Sequence, residues 1–284
     1  MTPRSGVSFS QQSGQDLETR TGGTVQHMSG DLDERTELGL IEALGLGNPP
    51  GVIAVAGGGG KSTLLFALAR ALPGRTVLTT TTRIFASQTR LAHRVSCVED
   101  VDWENALVDR AGSLLVVGRV EERHALGVGL EIPGRILAHP NVDWVVVEAD
   151  GSRRLPVKAP AEHEPVIPPE THHLITVAGI DALSAPIAEI AHRPERVCAL
   201  TGLSPDATLS PEALGALLAS PAGGGKGAPP GARRTVLINK VESEAESQRA
   251  ARVADAALGS PGLERVAAGA LQGDTESGWR AWSR

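Results

Sequence analysis

Two cysteines, Cys97 and Cys198, serve a chain of 284 residues, so no disulfide framework is available and no CxxC pair exists for a zinc site. Tyrosine is absent and phenylalanine occurs three times. Lysine appears only at 61, 158, 226 and 240, and the net charge is −6. That balance excludes a general electrostatic grip on nucleic acid or anionic lipid, so any anionic partner must meet a local basic site. No apolar run approaches the roughly 20 residues of a membrane helix, and the first thirty residues lack both a basic start and an apolar core. The expectation is a cytoplasmic protein with no nucleic-acid or membrane partner.

The chain does have the length for one large α/β domain or two small ones, either with a substantial core. Residues 1–32 are rich in Ser, Gln, Gly and Thr and show no apolar periodicity, which predicts a disordered tail. From Asp33 onward "DERTELGLIEALGL" places Leu38, Ile41 and Leu44 on one helical face, so a single domain is expected over 33–284. Apolar runs without polar alternation follow at 52–56, 76–80, 113–120, 142–150, 173–179 and 234–240, separated by helical stretches at 64–72, 103–111, 211–219 and 242–258. Strands of that kind are buried on both faces, as in a mostly parallel, doubly wound sheet flanked by helices. The segment "SPAGGGKGAPPGARR", near 220–233, has too much glycine and proline for regular structure and is expected to form a mobile surface loop.

The chemistry begins at "VIAVAGGGGKSTLLFALARAL". A strand leads into Gly57, Gly58, Gly59 and Gly60, then Lys61, Ser62 and Thr63 open a helix. Such a loop aims amides at phosphate oxygens, gives a lysine to the terminal phosphates and offers a serine hydroxyl to magnesium. Its spelling departs from the usual phosphate-binding loop, which has glycine where Val55 stands, and resembles the GGxGK[ST] variant of signal-recognition GTPases and metal-insertion chaperones. Ala56 occupies the place of the second lysine that one branch of those proteins carries.

Further along, "VVVEADGS" ends an apolar strand in Glu148, Asp150 and Gly151. Carboxylates at that edge suit a magnesium ion or its water, with either Glu148 or Asp150 in the role, and Gly151 lets the backbone approach the terminal phosphate. "LINKVE" resembles the NKxD motif that reads guanine, with Asn239, Lys240 and, in place of aspartate, Glu242. "TTTTR" offers Thr80 to Thr82 as switch residues, Thr81 being the candidate for the metal. The expected cofactor is Mg2+ with ATP or GTP.

Beyond Gly151 runs "SRRLPVKAPAEHEPVIP". Arg153, Arg154 and Lys158 suggest a second anion, while Glu162, His163 and Glu164 have the chemistry to hold a metal or move protons. His172 and His173 read as a polar strand start, and His192 in "AHRPE" as a further cleft candidate.

Taken in order, "GGGGKST", "TTTTRI", "VEADGSRRLPVKAPAEHEPVIP", "AHRPE" and "LINKVE" resemble the YqeC family over about residues 50–242. Its members are described as accessory proteins of selenium-dependent molybdenum hydroxylases. The resemblance implies a P-loop nucleotide hydrolase fold and a role in maturing those enzymes. The implied partners are a nucleoside triphosphate, an anionic small molecule or pterin cofactor, and a client hydroxylase or its maturation factors. Glu242 departs from the family's usual aspartate, and neither cysteine lies in a motif. Two other readings stay open on the residues alone: a phosphotransferase or ligase acting on a small anion, and a nucleotide-regulated scaffold.

Overall fold

The computed structural model describes residues 38–109, 111–273 and 275–284. The expected tail and the Asp33 cap lie outside the described residues. Among the described residues nine strands build one sheet: β1 (Gly51–Gly57), β2 (Thr76–Thr80), β3 (Arg94–Cys97), β4 (Leu114–Val117), β5 (Trp144–Glu148), β6 (His173–Gly179), β7 (Arg233–Asn239), β8 (Arg265–Gly269) and β9 (Arg280–Ser283). Their order across the sheet is β9-β8-β7-β6-β1-β5-β2-β4-β3, parallel throughout except that β9 runs antiparallel to β8.

The unalternating apolar runs have a direct explanation in this sheet. In β5, Trp144 and Val146 join the core on one face together with Ile53 and Val55 of β1, while Val145 and Val147 join Val52 on the other. Both faces are covered by helices, so every position is under pressure to be apolar. The expected doubly wound α/β architecture is what the chain forms. The strand expected at 173–179 has those same bounds, whereas the helix expected at 103–111 is a short 3-10 turn, Trp103–Leu107.

Three strands of this sheet escaped the sequence reading. The first is β3, an edge strand of four residues, and β8 reads "RVAAG", without the β-branched density that marks β1 or β5. The last, β9, is "RAWS", recruited because Trp282 packs into the core against its neighbours.

The direction of winding across the sheet reverses at β1. The helix Lys61–Ala71 leads from β1 to one half of the sheet, and β6 on the other side of β1 leads to the other half. In open α/β sheets, ligands bind in the crevice at the carboxyl ends of strands where the winding reverses. Gly57 to Gly60 sit at that point. The Gly/Pro segment after the helix Pro211–Ala219 forms turns without helix or strand. It is held in place: Thr176 Oγ1 donates to the Gly224 carbonyl at 2.6 Å, and Lys226 Nζ donates to the carbonyls of Ala161 and Glu162.

Candidate functional site

The glycine loop is built for close approach. Gly57, Gly59 and Gly60 have φ of 99°, 69° and 133°, in the region that L side chains rarely adopt. A Cβ on Gly59 would stand 2.1 Å from the Gly179 amide nitrogen, and one on Gly57 2.3 Å from the Val177 carbonyl oxygen. The loop therefore lies directly against the end of β6. Behind it, Lys61 opens the helix and is buried, with Nζ donating to the Gly57 carbonyl at 2.8 Å.

The two acids at the end of β5, Glu148 and Asp150, divide their work. Ser62 Oγ donates to Glu148 Oε2 at 2.9 Å, and Gln88 Nε2 donates to Ser62 Oγ at 2.7 Å. Burial pushes the Glu148 carboxyl up, against the pull of the Lys61 charge and the Ser62 hydroxyl. Asp150 instead accepts from the Gly57 amide at 3.1 Å and stands 3.4 Å from Lys61 Nζ and 3.1 Å from Lys158 Nζ. Glu148 with Ser62 is an oxygen donor pair facing the cleft, which suits a hard cation completed by phosphate oxygens and water. Asp150, by contrast, is fixed among the loop amide and two ammonium groups.

Lys158 was expected to reach a substrate anion. Its ammonium is buried and donates to the Gly151 carbonyl at 2.7 Å and to Glu164 Oε2 at 2.8 Å, while it pairs with Asp150. Glu164 also receives Arg193, at 2.6 Å and 3.2 Å to its two oxygens. Burial alone would raise the Glu164 carboxyl, but the Lys158 and Arg193 partners bring it down to about 2. An unbroken series of ion pairs thus runs Lys61, Asp150, Lys158, Glu164, Arg193. Sequence reasoning missed Arg193, although "AHRPE" was in view, because the pairing joins positions 29 residues apart through the short ribbon of Val157–Lys158 with Ala191–His192.

A cleft of about 1290 Å³ opens in front of the loop. It is lined by Gly59, Gly60, Lys61, Ser62 and Thr63, by Glu148 and Gly151, and by Arg153, Arg154, His163 and His192. Asn239, Lys240 and Glu242 line it as well. Gly57, Gly58, Asp150 and Lys158 lie behind this wall. A Cβ on Gly151 would meet nothing within 4 Å, so that glycine leaves the wall open. Asn239 is buried, donates from Nδ2 to the Gly59 carbonyl at 2.7 Å and accepts the Leu271 amide at 3.0 Å, locking the loop to the segment after β8. Lys240 pairs with Asp181 at 2.6 Å, and the Glu242 amide donates to Glu246 in the cap of the helix Glu244–Leu258.

Thr81 does not line the cleft; its hydroxyl donates to the Val166 carbonyl at 2.6 Å, and Thr82 is the threonine that faces the opening. Among the described residues no three of His, Cys, Asp and Glu converge on a common point, and Glu164 of the "EHE" group is committed to cations. His192 is held below its usual range by burial first, then by the charges of Arg193, Lys158 and Arg153. His172 accepts the Val52 amide through Nδ1 at 3.1 Å, a strand-edge role as expected.

A parallel sheet with a glycine loop, lysine and serine at its winding reversal, and an acid from the neighbouring strand on that serine, defines a P-loop NTPase-like α/β protein. The model of the YqeC protein family matches residues 53–195. The chain is 38% identical over 205 residues to the uncharacterized protein YqeC of Escherichia coli (strain K12), covering 71% of this chain and 80% of that protein. It belongs to the YqeC family. No solved structure matches the chain. No helix of the described residues is long and apolar enough to cross a membrane.

Proposed function

We propose that the protein binds a magnesium nucleoside triphosphate in this cleft, hydrolyses it, and acts as an accessory factor in maturing selenium-dependent molybdenum hydroxylases. The observation that carries the nucleotide reading is the Ser62–Glu148 hydrogen bond of 2.9 Å beside Lys61, at the mouth of a loop that only glycine can form. In this reading Gly57 to Ser62 cradle the phosphates, Lys61 neutralises their charge, and Ser62 with Glu148 holds the cation. That cation would neutralise charge on the terminal phosphates. Gly151 leaves space next to the terminal phosphate, and Asn239, Lys240 and Glu242 border the nucleoside. The accessory role rests on family membership.

Calorimetric titration of ATP, GTP, CTP and UTP with magnesium tests the first part and reads the base preference. Lys61→Ala is expected to weaken binding roughly ten- to hundredfold, the magnitude of lost charge-assisted hydrogen bonds. Equal, poor binding by both proteins would end this reading. For the second part, hydroxylase activity is measured in cells carrying Lys61→Ala, where normal maturation would end the accessory role. The exposed Arg153 and Arg154 favour one competing reading, a phosphotransferase with a small anionic acceptor. Under it, purified protein consumes nucleotide faster with the acceptor alone; under the accessory reading, only with the client.

A further inference from the structure

A two-strand ribbon, Ile84–Phe85 paired antiparallel with His124–Ala125, contributes Ile84, Phe85 and His124 to the cleft wall. The pairing sets Phe85 directly across from His124, with ring centres 5.7 Å apart and planes 25° from parallel. Phe85 is one of three phenylalanines in the chain, and it is 50% exposed while lining the cleft. A phenyl ring left to solvent at the edge of a cleft forgoes the hydrophobic stabilisation it would gain if covered.

The ribbon is tied to the reactive end of the loop by one side chain. The Phe85 amide donates to Gln88 Oε1 at 2.9 Å, and Gln88 Nε2 donates to Ser62 Oγ at 2.7 Å. Phe85 therefore stands one glutamine away from Ser62, the serine assigned with Glu148 to the cation beside the terminal phosphates. The nucleoside border lies elsewhere, at Asn239, whose side chain bonds the loop carbonyl of Gly59.

Arginine supplies the complementary charge. The Arg154 guanidinium stands 5.8 Å from the Phe85 ring centre. Arg153 and Arg154 are consecutive non-glycine residues in left-handed backbone, φ 51° and 64°, a conformation that costs about 1–3 kcal/mol at each position. Both line the cleft, are exposed, and make no ion pair with a carboxylate among the described residues. The nearby acid, Glu164, is already bonded to Lys158 and Arg193, so its charge is compensated.

We infer that this end of the cleft is a second ligand site, for a flat heteroaromatic molecule carrying an anionic group. Its ring covers Phe85, and its anion meets Arg153 and Arg154. Stacking of a flat ring on an aromatic side chain and pairing of a carboxylate or phosphate with guanidinium groups supply the affinity. The inference rests on the nucleotide reading for its orientation, since it places the second ligand next to the terminal phosphate.

The test uses the full-length protein saturated with magnesium and a non-hydrolysable ATP or GTP analogue, and also the protein alone. Fluorescence anisotropy follows two probes of one shape, pterin-6-carboxylate and uncharged pterin, and the competition of pterin-6-carboxylate by inorganic phosphate. The carboxylate is expected to bind at least about tenfold more tightly than pterin, and phosphate alone to displace it weakly. Phe85→Ala and the double variant Arg153→Ala, Arg154→Ala should each weaken it about tenfold while nucleotide affinity changes less than about twofold. Wild-type protein that does not bind the carboxylate, or variants that bind it as well as wild type, would overturn the site. If Phe85→Ala instead weakens nucleotide binding, the ring serves the nucleotide's own base and the second site is likewise overturned. Failure of the nucleotide reading shows separately, in the calorimetric comparison of wild type with Lys61→Ala.

Discussion

Glu148 and Asp150 are two residues apart, yet the structure gives them opposite demands. Glu148 is a buried acid whose carboxyl is pushed up and whose partner is the serine hydroxyl. A neutral amide of the same shape removes the cost of a buried charge and keeps a hydrogen-bonding oxygen for Ser62. Glu148→Gln is therefore expected to keep or slightly raise thermal stability and to lower nucleotide hydrolysis about a hundredfold or more, read by phosphate release at saturating nucleotide. Asp150→Asn leaves Lys61 and Lys158 facing each other without their shared anion. Removing one partner of a buried charge pair costs about 3–5 kcal/mol, so this variant should show a clear fall in denaturant midpoint. Equal stability loss in both variants would contradict the division of roles.

At the scale of elements, the loop and the helix behind β7 make the sharpest claims. Gly59→Ala would place a methyl group 2.1 Å from the Gly179 nitrogen at a φ of 69°, so the loop must move off β6. Loss of nucleotide binding is expected, with the remainder of the sheet still folded by circular dichroism. The helix Glu244–Leu258 starts from Ser243, whose hydroxyl accepts the Glu246 amide while Glu246 reaches back to the Ser243 amide. Ser243→Ala removes half of that reciprocal cap and should cost about 1 kcal/mol in chemical denaturation, with nucleotide affinity unchanged.

For the whole molecule, acid stability follows from two groups in different places. His173, buried at the start of β6, is pushed down to about 4 by burial first, then by Arg233 and His172. The folded state thus holds it neutral. Its contribution is complete above the unfolded value near 6.5 and is lost as pH falls from there toward 4. Glu164, at about 2 in the fold, contributes above its unfolded value near 4.5 and loses that contribution as pH falls toward 2. Denaturation midpoints from pH 7 to 3 should decline in two stages. His173→Gln should flatten the first stage and leave the second, and an unchanged profile in that variant would remove the assignment.

How far the sequence reached depended on the range of the signal. The central strands, the glycine loop, Lys61, Ser62 and the acids at the end of β5 were legible because each is a contiguous run whose residue types admit one local geometry. The edge strands β3 and β9, and β8 beside β9, were not, since they are short, their own residues carry weak preference, and their place in the sheet comes from pairing with neighbouring strands. The site divided in the same way. By itself the sequence determined the α/β class and which residues gather at the carboxyl edge of the sheet, because strand, turn and helix follow from local pattern. Only the tertiary structure decided which of those charges face the cleft. It buried Lys158 between Asp150 and Glu164, brought Arg193 to Glu164 across 29 positions, turned the Thr81 hydroxyl toward Val166, and left Arg153 and Arg154 open. The physical reason is that a charge takes its role from the partners and solvent around it, and both are set by contacts between segments that no local stretch of sequence encodes.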